Sequence, residues 1–433
     1  MSMICDNLTV ENGRLRFAGR DARALLEAYG SPLYVMDEDR IRRNLRVYVT
    51  AMHEAFGDSA MVLYASKACA FKEMYRLAAC EGAGVDVVSA GEAYTAYKAG
   101  FPMERVYFHG NNKTDEEIAL AMDWGVGTFV VDGSEELAVI NAEAARRGIT
   151  QRVMLRITPG IDTHTYEAVA TGQVDSKFGS AIETGQAAAI VGETLDYGSL
   201  SLCGFHCHVG SQVFDSDTFF RSADIMLEFI AAMRQQYGYV AAELDLGGGY
   251  GVRYLDSDPT IDIADNIRRV GEHLQAACQR LALPLPAVRM EPGRSIVADA
   301  GITLYTVGGV KRIPGYKNYV SVDGGMGDNP RYALYEAPYT VVCPEKMDEP
   351  SDMLCDLVGK FCESGDILQP AVRLPSTLRR GDLVAVLTTG AYNYSMASNY
   401  NRIPRLPVVM VGNGGERVVV RRESYEDILR NDL

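Results

Sequence analysis

From about residue 38 onward the chain alternates short apolar runs with longer stretches whose apolar residues recur at helical spacing. Eight runs read as strands: MVLYASKA from 61, GVDVVS from 84, RVYFHG from 105, VGTFVVD from 126, RVMLRITP from 152, LSLCGFHCHVG from 200, AAELDLGGG from 241 and AVRMEP from 287. Between them lie segments such as SEELAVINAEAARRG and DTFFRSADIMLEFIAAMRQQYG, amphipathic as helices and opened by Ser, Asp or Thr as caps. Eight strand–helix units in series predict a (β/α)8 TIM-type barrel over residues 37–294; an open doubly wound sheet is the alternative built from the same elements.

Past residue 295 the pattern changes to short strand-like pieces, ITLYTVGGVKRI, NYVSVDGG, YTVVCPEK, DLVAVLTTG and LPVVMVGNGGERVVVRR, parted by Gly and Pro turns. This predicts a C-terminal β domain over 295–433. Residues 1–36 share its texture, in LTVENGRLRF and PLYVM, and are expected to add strands to it.

Composition narrows the function. A chain of 433 residues has room for two or three domains, and a net charge of −15 argues against a partner rich in phosphate such as nucleic acid. The start, MSMICDNLTVENGRLRF, lacks the features of a secretory signal, and no apolar run is long enough to span a bilayer, so a cytoplasmic location without membrane partners is expected. Nine scattered cysteines without a CxxC pair read as reduced thiols. His206 and His208 alternate onto one face of the sixth strand, but no third ligand follows at a zinc spacing, and no metal is expected.

A barrel of this kind gathers its chemistry at the carboxyl ends of the strands. Strand one ends in Tyr64-Ala65-Ser66-Lys67, and an amine desolvated at a barrel mouth is suited to condense with an aldehyde. Strand six ends in His206-Cys207-His208-Val209-Gly210-Ser211, with an imidazole for stacking on a flat cofactor and a hydroxyl beside it; His206 itself reads as a core histidine. Gly247-Gly248-Gly249 after strand seven, with Glu291-Pro292-Gly293-Arg294 after strand eight, fits the usual phosphate site of the barrel. Glu291 suits the nitrogen of a pyridine ring, which a carboxylate keeps protonated so that the ring can accept a carbanion's charge. The competing reading, a salt bridge from Glu291 to Arg294, leaves the glycines unexplained.

On these residues the chain resembles the fold-type III pyridoxal-phosphate decarboxylases, and within them the branch that acts on diaminopimelate. The resemblance runs over nearly the whole chain. It implies pyridoxal 5'-phosphate carried on Lys67, His208 stacked on the ring, Ser211, Gly248, Gly249, Gly293, Arg294 and Tyr392 around the phosphate, and Glu291 at the ring nitrogen. It further implies Cys362 as proton donor, Glu363 and Tyr392 at the substrate, and Arg294, Arg331 and Tyr335 holding a distal carboxylate. The implied reaction is decarboxylation of meso-2,6-diaminopimelate to L-lysine, ending lysine biosynthesis, in a homodimer whose active sites are shared between subunits. Departures from the family pattern lie in Ala68-Cys69, in Asn329-Pro330-Arg331-Tyr332 and in Asn393-Tyr394. Rival readings are a decarboxylase of ornithine, lysine or arginine, which has no distal carboxylate to hold, and a non-catalytic relative, against which stand Lys67 and Cys362.

Overall fold

Eight parallel strands, Met61–Ala65, Gly84–Val87, Val106–Phe108, Thr128–Val131, Gln151–Thr158, Leu200–His206, Glu243–Asp245 and Ala287–Met290, pair each with the next. The eighth returns to the first through Arg289↔Met61 and Met290↔Val62, which closes the ring and excludes the open-sheet alternative. The computed structural model describes residues 4–160 and 176–433. All eight strands coincide with the apolar runs read from the sequence. They are nearly wholly buried, as expected where side chains face a filled barrel on one side and covering helices on the other. Leu63, Tyr107, Val130, Met154 and Cys203 pack together from five of the strands.

The covering helices end as their sequences dictate. Ser134–Arg147 stops at Gly148 and Ser216–Tyr237 at Gly238, both glycines in the left-handed conformation that a β-carbon disfavours. Asp115–Asp123 opens with a reciprocal Thr114/Glu117 capping box. Because all eight strands pair in parallel, their carboxyl ends lie at the same rim.

The chain divides into two units, one of Asn44–Gly251 and Thr260–Gly293, the other of Met1–Arg43, Val252–Pro259 and Arg294–Leu433. The first holds the barrel strands. In the second, a mixed sheet runs through Ile367–Leu374, Met353–Val358, Lys317–Val322, Gly301–Ile313, Leu33–Asp37, Val408–Gly412 and Gly415–Val420. Leu33–Asp37 lies antiparallel to Gly301–Ile313 and parallel to Val408–Gly412, so the N-terminal segment does contribute a strand to this sheet. Leu8–Glu11, Arg14–Phe17 and Arg20–Asp21 instead form a separate three-stranded sheet. Its Leu8, Leu15 and Phe17 join Ile302, Leu304, Val342 and Leu383 in one apolar cluster.

Candidate active site

At the barrel rim the first strand runs into a tight turn, Ser66–Ala68, that carries Lys67. The Tyr64 hydroxyl donates to the Cys69 carbonyl (2.9 Å), the Ser66 hydroxyl to Glu92 Oε2 (2.8 Å), and the Ala65 N–H to the Pro292 carbonyl (3.1 Å). The turn is thereby tied to the second strand's helix and to the chain leaving the eighth strand. Lys67, His208 and Glu291 line one cavity of about 360 Å³, together with Asp86, His109, Arg156 and His206.

Glu291 is buried at the centre of this group. His206 Nε2 lies 3.3 Å from its Oε2 and His109 Nε2 2.6 Å from its Oε1, and the two imidazoles meet edge to face with centroids 4.7 Å apart. Burial is the largest influence on both rings and keeps them neutral, His109 at about 3 in spite of the Glu291 charge and His206 in the same direction. For Glu291 burial opposes ionisation, but the two histidines outweigh it and hold the carboxyl well below its ordinary range. Asp86 and Asp245 go the other way, pushed well up by burial and then by the Glu291 charge. Of three buried carboxyls, Glu291 is the one that stays ionised.

These residues fit pyridoxal phosphate. Glu291 Oε1 receives no aligned N–H among the described residues, the short approach of His109 lying off the line of its ring N–H. A buried carboxylate oxygen in that condition is costly unless a donor arrives, and a protonated pyridine nitrogen is such a donor. His208 is neutral, lowered well below its ordinary value by burial and then by the charges of Lys67 and Arg156, so it offers an uncharged ring. Among the described residues the one trio of side chains close enough to hold a metal ion is His109, His206 and Glu291, within 4.8 Å, rather than the His206/His208 pair considered from sequence.

The glycines of strand seven's exit are demanded by the protein's own backbone. Gly247 has φ +67°, and a β-carbon there would lie 2.6 Å from the Cys207 carbonyl and 2.8 Å from His208 Nδ1. At Gly248 it would lie 2.0 Å from the Glu291 carbonyl. The missing side chains let this exit press between those of strands six and eight, beside His208 and Glu291. Gly249 has φ +124°, Gly293 packs on Ala65, and Ser211 is half-buried after strand six.

In the second unit Arg294, Arg331 and Tyr392 gather around Tyr254 and Tyr339. Arg294 Nη1 donates to the Tyr254 hydroxyl (2.7 Å), and its guanidinium lies 4.7 Å from the centre of the Tyr392 ring. Arg331 donates to the Pro338 carbonyl (2.7 Å), with its guanidinium 3.5 Å from the Tyr254 ring centre and 5.0 Å from that of Tyr339. Tyr335 is half-buried at the end of the short helix Arg331–Tyr335. Cys362 and Glu363 stand apart on an exposed turn, where the Cys362 N–H donates to Asn401 Oδ1 (2.7 Å).

Six residues of these clusters were not singled out from sequence: Asp86, His109, Arg156, Asp245, Tyr254 and Tyr339. The first three lie at the rim ends of strands two, three and five, and the rule applied to strands one, six, seven and eight would have found them. His206, read as a core histidine, is buried as expected but bonded to Glu291, and the side chains closest to the Glu291 carboxylate are histidines rather than Arg294.

Residues 39–298 match the family described as pyridoxal-dependent decarboxylase, pyridoxal binding domain. Over 98% of its length the chain is 45% identical to diaminopimelate decarboxylase of Bacillus subtilis (strain 168), covering 96% of that protein. It is 41% identical to the diaminopimelate decarboxylase of Staphylococcus aureus (strain COL), with 98% of each chain covered. Its fold is similar to the crystal structure of diaminopimelate decarboxylase from M. jannaschii in co-complex with L-lysine, at a TM-score of 0.90 and 32% identity over 99% of this chain and 98% of that one.

Proposed function

Because the chain belongs to the pyridoxal-dependent decarboxylases, we propose that it removes carbon dioxide from meso-2,6-diaminopimelate to leave L-lysine, the last step of lysine biosynthesis. The observation that carries this reading is the cavity shared by Lys67, His208 and Glu291: an amine, a neutral flat ring and an ionised carboxylate with one oxygen lacking an aligned N–H donor.

Pyridoxal phosphate, when bound, supplies an electron sink for the charge left at the α-carbon as carbon dioxide departs. Lys67 would provide the amine for its covalent attachment, and His208, lining the same cavity, would offer its uncharged ring to the cofactor. Glu291 accepts the ring-nitrogen proton in a hydrogen bond and keeps it in place. Ser211, Gly248, Gly249, Gly293, Arg294 and Tyr392 are assigned to the phosphate. Arg294 and Arg331, with Tyr335, are assigned to the substrate's distal carboxylate, which forked guanidinium donors suit. Cys362 protonates the α-carbon and Glu363 reads the substrate, both from the partner subunit of a homodimer. Among the described residues no helix is long and apolar enough to cross a membrane, and nine free thiols accord with a reducing, cytoplasmic setting.

Incubation with pyridoxal phosphate and, separately, meso-diaminopimelate, ornithine, lysine and arginine tests the substrate. Lysine and carbon dioxide from diaminopimelate alone are expected. A diamine formed from any of the other three at a comparable rate would overturn the choice.

A further inference from the structure

His206 is almost wholly buried, and its one polar contact among the described residues is the 3.3 Å approach of Nε2 to Glu291 Oε2. Its Nδ1 is buried without a hydrogen-bond partner. A proton on Nδ1 would be an unsatisfied buried donor, whereas a proton on Nε2 meets a carboxylate, so the ring is fixed as the Nε2–H tautomer. His109 packs edge-on against it, with its Nε2 2.6 Å from Oε1 but no aligned N–H there.

We propose that His206 is a positioning residue: its Nε2–H holds Oε2 of Glu291, fixing the carboxylate so that Oε1 is the oxygen left for the cofactor's ring nitrogen. The inference rests on the decarboxylase reading and deepens it by dividing the two oxygens between protein and cofactor. Neutrality of the ring is part of the arrangement. A cationic imidazole would compete with the ring nitrogen for the same charge, and burial keeps His206 uncharged. The role is that of an outer residue orienting one that touches the cofactor, and loss of such partners in metal sites typically costs about 10- to 100-fold in activity or affinity.

The test uses the full-length protein loaded with pyridoxal 5'-phosphate. Gln at position 206 extends an amide N–H to about the reach of Nε2, Asn stops at the reach of Nδ1, and Leu has no donor. H206L and H206N are expected to retain covalent cofactor, trapped by borohydride. They should show a shifted absorbance maximum of the bound cofactor and a kcat lowered roughly 10- to 100-fold with little change in KM. H206Q is expected to recover the wild-type spectrum and most of the rate. A wild-type spectrum in H206L, or H206Q and H206N equally displaced from it, would overturn the assignment. If H206L does not fold, the comparison of the Gln and Asn variants decides alone. Failure of the underlying reading is separately visible, because the wild-type protein itself would then neither retain the cofactor nor release carbon dioxide from diaminopimelate.

Discussion

The guanidinium of Arg331 lies 3.5 Å from the centre of the Tyr254 ring, while the hydroxyl of that same ring accepts a hydrogen bond from Arg294 at 2.7 Å. One tyrosine thus holds both of the arginines assigned to the distal carboxylate, one by its π face and one by its oxygen. Two like charges brought together are stabilised by the group between them, and the same group sets their spacing.

Tyr254→Phe keeps the face and removes the hydroxyl. A hydrogen bond to a charged group is worth about 1.5 to 3 kcal/mol, so KM for diaminopimelate should rise by roughly tenfold or more with a smaller change in kcat. Steady-state kinetics measures this. Unchanged KM in Tyr254→Phe would show that the hydroxyl does not set Arg294 for substrate.

Arg331→Ala should raise KM more strongly, by the equivalent of about 2 to 5 kcal/mol, because truncating one partner of a desolvated charge pair leaves the other unpaired. Arg331→Lys should recover little of it, since an ammonium cannot cover the ring face and also offer a planar fork. If Lys restored wild-type KM, charge alone would be the requirement and the stacking on Tyr254 incidental.

The fold was legible where local pattern and tertiary role agree. Each barrel strand is an apolar run with a polar residue at its rim end, so the strands and the placement of Lys67, His208 and Glu291 could be read together. Two strands of the second sheet, Met353–Val358 and Ile367–Leu374, could not. The latter contains Pro370 and an Ala371 at φ +50°, and the pairing between them shifts register twice, so neither presents an unbroken alternation. Tyr254 was hidden differently. It follows a loop read for its glycines, and its segment Val252–Pro259 leaves the barrel's unit for the other, which periodicity cannot reveal. The His206–Glu291 bond joins residues 85 positions apart and has no local signature.

Acid stability should report on His109. Its folded value of about 3 lies below the ordinary 6.5, so between those limits the unfolded chain binds a proton that the folded chain does not. The contribution to stability is full above about pH 6.5 and is lost as pH falls toward 3, at up to about 1.4 kcal/mol per pH unit. Asp86 and Asp245, pushed up in the fold, act with the opposite sign but are common to wild type and variant. His109→Asn should therefore show a shallower loss of stability between pH 6.5 and 4 in urea unfolding of the cofactor-free protein. Parallel profiles would mean that His109 is charged in the fold.

Cys362 tests the composite site. It is an exposed free thiol in the second unit, and the proposal has it serve the barrel of the partner subunit. Cys362→Ala and Lys67→Ala homodimers should each be nearly inactive, since every site in either carries a defect. In a C2 dimer the same contact occurs twice, so a mixed dimer of one chain of each kind would hold one site with both defects and one with neither. Random reassortment of equal amounts makes about half of the dimers mixed, and half of their sites intact, so roughly a quarter of wild-type sites should return after the two are unfolded and refolded together. Sizing establishes that dimers reform, and carbon dioxide release counts the working sites. Were mixed dimers to form without recovered activity, Cys362 would act on the site of its own chain or not act as the proton donor, and the partner-subunit assignment would fall.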